Sequence, residues 1–306
     1  MYDTIGLFLE DNVFKEGLLE NPKEIYNQET GEIISTGKLR NLRVKINGDK
    51  VSVIGSLPKF YLGNNLQSLT RNETKNAIEK VSDLLQLPLE ESKIFRLDIG
   101  ASFQVNETLQ NYYSCLGNLA RFKKSEISNS QTLLYRTTTK ALSFYDKTEE
   151  MKRSKQEIPD IYNGKNILRY ELQLKKRIAT SLKLPEVRAK QLYEENFFRK
   201  GIDFWKDIYF SIQRINEINF HKEALIMINA KTLKNQLALI GLKAIGEKEL
   251  LKIIESNKDQ IKHRQQVSRM KELVKSLSQE PELTKQNESI KELDTKILET
   301  AEYYYC

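Results

Sequence analysis

Two stretches of this chain place an arginine and a carboxylate two residues apart inside otherwise apolar runs. They are Ile94-Phe95-Arg96-Leu97-Asp98-Ile99 and Leu168-Arg169-Tyr170-Glu171-Leu172. Side chains at i and i+2 of a strand share a face, so each pair projects from one side while the leucines and aromatics form the other. Burying a lone carboxylate is costly unless it is paired or bound to a cation. The two stretches therefore demand a sheet with one apolar face and one face of compensated charge. For each acid the alternative to a functional role is a salt bridge with its own arginine or with one on a neighbouring strand. A third stretch, Phe144-Tyr145-Asp146-Lys147, repeats the spacing with a phenol and a cation, and Glu149 and Glu150 follow it. By composition alone Tyr145 is a half-buried packing residue. With Lys147 on its face to favour a phenolate or neutralise a phosphate oxygen, it is also a candidate nucleophile.

Patterning elsewhere predicts strands over 2–9, 42–46, 51–54, 93–103, 132–136, 140–147 and 166–174. Asn47-Gly48-Asp49-Lys50 and the Thr-rich 137–139 mark hairpins. Residues 55–65 read as a loop or irregular strand. Thr70 and Glu73 form a capping box opening a helix with Ala77, Ile78, Val81, Leu84 and Leu85 on one face, stopped before Pro88. Asn106 is expected to cap a second helix bearing Leu109, Tyr112, Tyr113 and Leu116. After Pro185 the pattern is helical, over roughly 186–217, 221–240, 247–278 and 285–303, with a break at Glu280-Pro281-Glu282. The expected class is α+β: an N-terminal domain (1–182) with a central antiparallel sheet flanked by helices, then an all-helical region (183–306). Within the latter, Ala230 to Ile254 with Gly241 and Gly246 is a candidate helix-turn-helix. The basic residues Lys248, Lys252, Lys258, Lys262, Arg264, Arg269, Lys271 and Lys275 read as a solvated or DNA-facing surface.

With 306 residues and a net charge of +7, the chain suits an anionic partner. Two histidines, His221 and His263, are not spaced as a ligand pair, so a histidine-built zinc site is not expected. Any metal falls to carboxylates, which select Mg²⁺ or Mn²⁺. Two distant cysteines, Cys115 and Cys306, suit a reducing cytoplasm. Residues 1–10 read as a strand carrying Asp3 and Glu10 rather than a leader, and no apolar run reaches membrane-spanning length.

The run Thr132-Leu133-Leu134-Tyr135 … Phe144-Tyr145-Asp146-Lys147-Thr148-Glu149-Glu150, followed by Leu168 to Leu174, resembles the rolling-circle replication initiators of filamentous phages, the gene II/X replication endonucleases. It resembles the plasmid Rep-trans initiators more distantly. The opening Met1-Tyr2-Asp3-Thr4-Ile5, the Arg96-Leu97-Asp98 strand and the helical stretch after Leu184-Pro185 fall in the family's order.

That resemblance implies a DNA-nicking and strand-joining enzyme. Tyr145 matches the nicking tyrosine of a Tyr-X-Lys element, with Lys147 beside it and Glu150 at the family's following glutamate. Asp98 and Glu171 are the implied ligands of Mg²⁺ or Mn²⁺, supported by Arg96 and Arg169, with Glu150 either a further ligand or a cap of the following helix. Better-known relatives use a histidine pair that this chain lacks. Attack by Tyr145 would leave a 5′-phosphotyrosyl strand and a free 3′-OH. Lys59, Tyr61 and Asn64, in the Gly-flanked 55–65 segment, are either surface residues or candidates for DNA contact alongside Arg96 and Arg169. Tyr162, in Asp160-Ile161-Tyr162-Asn163-Gly164, is a rival nucleophile or a turn tyrosine. The expected partners are double- and single-stranded origin DNA, a host helicase and a second copy of the chain, with no membrane. The alternatives are a non-cutting origin-binding initiator and a plasmid mobilisation relaxase.

Overall fold

The structure, a computed structural model, describes residues 1–10, 18–26, 31–127, 131–215, 217–218, 230–261, 263–277, 284–285 and 287–305. Its frame is an antiparallel sheet. In chain order the strands are β1 (Tyr2–Glu10), β2 (Glu20–Tyr26), β3 (Ile33–Leu39), β4 (Leu42–Asn47), β5 (Lys50–Ser56), β6 (Lys93–Val105), β7 (Lys123–Ile127), β8 (Thr132–Arg136), β9 (Lys140–Asp146) and β10 (Asn166–Leu174). Their order across the ten-stranded sheet is β2-β3-β4-β5-β1-β6-β10-β9-β8-β7. The three polar-bearing strands, β6, β10 and β9, are adjacent. The helices are α1 (Leu57–Leu62), α2 (Arg71–Leu85), α3 (Leu109–Cys115), α4 (Lys147–Arg153), α5 (Ile178–Ser181), α6 (Glu195–Phe210), α7 (Ala230–Ile245), α8 (Glu247–Ser256), α9 (Arg264–Leu277) and α10 (Glu288–Tyr305). The chain is α+β, with its sheet in the N-terminal part and helices in the C-terminal part.

Local chemistry explains most of these elements. Asn47 and Lys50 pair across a two-residue loop whose first position, Gly48, has φ +59°, the conformation that a primed hairpin turn requires. The Thr70–Glu73 capping box forms in both directions and opens α2. Residues 55–65 are not the expected loop or strand, because they contain α1. There Ser56 accepts from the Lys59 amide, Pro58 occupies the first turn and Gly63 closes the helix at φ +86°. The strand expected to reach Lys147 stops one residue earlier, since Asp146 Oδ1 accepts from the amides of Thr148 and Glu149 and caps α4. Strands β2, β3 and β7 add to the predicted set. The helix expected from Asn106 begins at Leu109, and the Asn106 amide donates to Glu292 at 3.2 Å instead. The long helices expected over 186–217 and 247–278 are shorter: a 3₁₀ turn (Ala189–Tyr193) then α6, and α8 then α9.

Contacts divide the chain into two compact units, one of residues 1–113, 118–213 and 292–306, the other of 114–117 and 214–291. In the first, the apolar sheet face meets α6. Phe144 stacks on Tyr170 at 4.7 Å, Tyr170 stacks on Trp205 at 5.1 Å, and the Tyr170 hydroxyl donates to the Trp205 carbonyl at 3.1 Å. α10 docks through its residues 292–305: Tyr209 donates to Asp294, and Tyr304 donates to the Ser68 carbonyl. In the second unit, α7 and α8 join through Gly246 at φ +86°, and Leu242, Ile254, Val274 and Leu277 form a small core. His221, Lys262, Cys306 and the Glu280-Pro281-Glu282 break lie outside the described residues, as do the side chains of Lys248 and Arg264.

Candidate active site

Register places the polar residues on one face. Arg169 on β10 pairs with Ser102 on β6 and with Tyr145 on β9; Glu171 pairs with Gly100, and Gln173 with Asp98. Paired residues of an antiparallel sheet project to the same side, so Tyr145, Arg169, Glu171 and Asp98 share it.

Arg169 is the hub, and it is 1% exposed. Its guanidinium donates to Glu171 Oε1 at 2.6 Å, Asp3 Oδ2 at 2.6 Å, the Asn65 carbonyl at 2.9 Å and Ser102 Oγ at 3.0 Å. Asp3 comes from β1, across β6, and also accepts from Asn65 Nδ2 and Ser56 Oγ. Burial works to raise the Asp3 pKa, but Arg169 and these hydrogen bonds outweigh it and hold the carboxyl down to about 2.

The Tyr145 hydroxyl donates to Glu171 Oε1 at 2.8 Å, the same oxygen that Arg169 grips. Burial and the Glu171 carboxylate push the phenol pKa well above its ordinary range. Gly100 makes this geometry possible. A Cβ there would meet Glu171 Cγ and the Tyr170 carbonyl oxygen at 2.8 Å, so only glycine lets Glu171 lie over β6.

Asp98 is 1% exposed, and the half-buried Arg96 clasps it with Nε at 3.2 Å and Nη2 at 2.7 Å. Burial pushes its pKa up to about 7 despite Arg96, with the Glu171 and Asp3 charges adding to the rise. The salt-bridge alternative for Asp98 and Glu171 is thus realised for both, and Glu171 additionally holds the phenol.

Lys147 does not flank Tyr145 on the strand. It is the first residue of α4, fully buried, and its Nζ donates to Asn65 Oδ1 at 2.7 Å and Glu150 Oε2 at 2.5 Å. Burial and then Arg169 lower its pKa, against the pull of Glu150. Glu150 also lies 3.8 Å from Lys59 on α1. Asp98, Glu171 and Glu150 are therefore not gathered as one ligand set. Among the described residues no three His, Cys, Asp or Glu side chains are placed to hold an ion together. Tyr61 lies under Lys80, whose Nζ is 5.7 Å from its ring centroid. Tyr162 sits in a 3₁₀ turn (Asp160–Tyr162).

Sequence reasoning misses Asp3, Asn65, Ser102 and Gly100 as parts of the site. Asp3 has a legible signal, a carboxylate inside the apolar run of β1. The others are defined only by what β6 and β10 bring to them.

No helix among the described residues is long and apolar enough to cross a membrane. A search of curated proteins finds no match. Residues 25–196 match the family model Phage_CRI, which describes the N-terminal part of a replication-associated protein, a span that runs from β2 through β6, β9 and β10. Because that match covers more than half of the chain and every strand of the site except β1, the chain belongs to the Phage_CRI family of phage replication proteins.

Proposed function

We propose that this phage replication initiator cuts origin DNA through Tyr145 and later rejoins the strand, as rolling-circle replication requires. The observation that carries this reading is the 2.8 Å hydrogen bond from the Tyr145 hydroxyl to Glu171, on a carboxylate fixed by a buried arginine. A phenol with a raised pKa needs a base at the moment of attack. Tyr145 Oη attacks phosphorus while its proton passes to Glu171 Oε1. The bond from phosphorus to the 3′ oxygen breaks, and that oxygen takes a proton from solvent. The 5′ phosphate stays on Tyr145, and reversal of the step reseals the strand. Arg169 holds Glu171 aimed at the phenol; Arg96, at the rim, is the cation open to the phosphate. Lys147 acts through Asn65 and Glu150, fixing the turn from β9 to α4.

Asp98 and Glu171 fit a divalent ion that is held partly by the DNA. Mg²⁺ is commonly bound by one or two carboxylates together with substrate phosphate and water; burial is what chiefly raises Asp98 to about 7, and the smaller rise from the Glu171 and Asp3 charges is one that such an ion would relieve. When bound, Mg²⁺ or Mn²⁺ would polarise the phosphoryl group. Glu150, held by Lys147 and Lys59, stands apart from this pair.

The test is incubation with supercoiled origin DNA and Mg²⁺. Wild type and Tyr162→Phe should give open circles and an SDS-stable protein–DNA adduct, and Tyr145→Phe should give neither. An adduct with Tyr145→Phe overturns the nucleophile. Origin binding without any cutting by wild type would establish the non-cutting initiator instead.

A further inference from the structure

Strands β2 to β5 extend the sheet beyond β1, away from Tyr145. One side of this wing is apolar and buried, with Val44, Ile46, Val51 and Val53. The other side is a concave surface enclosing about 700 Å³. Four cations line it, Lys23, Lys38, Arg43 and Lys45, and no acidic side chain does.

The register connects this surface to the active site. Lys38 pairs with Arg43, Arg43 with Ile54, Ile54 with Gly6, and Gly6 with Arg96. The next row runs from Lys23 through Thr36, Lys45 and Ser52 to Phe8. Because paired residues project to one side, the cations continue the face that carries Arg96 and Asp98.

These cations are also uncompensated. None of the four has an acidic partner among the described residues. Glu20, which pairs with Lys38 across the strands, turns its carboxylate to the Arg40 amide. The contrast is with the helices of the second unit, where Lys252, Lys258 and Lys271 each hold a glutamate. Like charges directly opposite on a sheet, as Lys38 and Arg43 are, destabilise it. A polyanion laid along both rows removes that cost.

We propose that the β2–β5 face grips the sugar–phosphate backbone of duplex DNA beside the nick and presents one strand to Tyr145. From β3 to β10 the sheet is five strand spacings wide, about 24 Å, the length of roughly seven base-pair steps at 3.4 Å each. Cations without an ordered set of base-reading side chains give sequence-independent grip. This inference rests on the DNA-cutting reading above but is tested separately from it.

The experiment measures affinity for a short duplex against salt concentration, using the full chain and the quadruple variant Lys23→Gln/Lys38→Gln/Arg43→Gln/Lys45→Gln. Each phosphate contact contributes about 0.9 to the log–log slope, so the variant's slope should be shallower by roughly 3 to 4 and its affinity at least tenfold weaker. Adduct formation on a single-stranded oligonucleotide carrying the nick site should stay within about twofold of wild type, which also shows that the variant is folded. Arg43→Lys alone should keep the wild-type slope. An unchanged slope in the quadruple variant overturns the proposal. An equal loss of affinity for single strands overturns the assignment to duplex. Failure of wild type to form any adduct counts against Tyr145 and leaves the slope comparison standing.

Discussion

Replacing Arg169 with methionine tests the claim that the site is built around one buried guanidinium. The substitution keeps much of the side-chain volume and leaves Asp3 and Glu171, both buried, without their shared cation. Breaking a buried pair by removing one partner costs about 3–5 kcal/mol. The depression of the Asp3 pKa from 3.8 to about 2 gives an independent scale, on the order of 2 kcal/mol for Asp3 alone. The sheet-bearing unit should therefore melt roughly 6–20 °C lower at pH 7, at about 2–4 °C per kcal/mol. The loss should depend on pH with a definite sign. In wild type the Asp3 pairing is complete above the ordinary carboxyl pKa and is lost only as pH falls through about 2. In the variant, burial without its cation raises the folded Asp3 carboxyl pKa, so stability returns as pH falls through it. The melting difference should be largest near pH 7 and shrink toward pH 4.5. Asp3→Asn should restore part of the variant's stability at pH 7, because it removes one of the stranded charges. The assay is thermal unfolding by circular dichroism for the four proteins of this cycle at both pH values. A pH-independent penalty, or one below about 1 kcal/mol, would refute the reasoning.

Two other substitutions probe geometry. Gly100→Ala puts a Cβ 2.8 Å from Glu171 Cγ and from the Tyr170 carbonyl. It should cost about 1–3 kcal/mol and, by moving Glu171 off Tyr145, reduce nicking at least tenfold while duplex affinity stays unchanged; full activity would show that the Tyr145–Glu171 contact is dispensable. Thr70→Ala removes one half of the α2 capping box. It should lower stability by about 1 kcal/mol in denaturant unfolding, without changing the adduct yield.

β10 is legible because its apolar residues alternate strictly in sequence from Leu168 to Leu174, and it runs from Asn166 to Leu174, as its pattern predicts. Spacing alone does not say that β6, β10 and β9 are neighbours; the sheet order supplies that. The hidden parts have physical reasons. β2 is exposed along its whole length, so it carries no burial pattern, and β3 mixes serine, threonine and glycine into its run. α1 is hidden by Pro58 and Gly63, residues that break a helix in its middle but suit its first turn and its close. Lys147 is misplaced when strand spacing is carried through Asp146, whose carboxylate caps the next helix. The bond between Arg169 and Asp3 joins residues 166 positions apart, and no local pattern encodes it.

The second unit interrupts the first. Residues 214–291 leave the chain of the sheet-bearing unit after Gln213, and Glu292 to Tyr305 return to it on α10. Synthesis from the N-terminus therefore yields all ten strands while Tyr112, Tyr209 and Ser68 still lack their α10 partners Glu292, Asp294 and Tyr304. At roughly 5–20 residues per second, the intervening stretch delays those partners by several seconds. During that interval the nascent sheet, Tyr145 included, exists without α10. A replication initiator arranged this way matures only once its inserted unit has been made, which separates the birth of the sheet that carries Tyr145 from the moment it becomes fully stable.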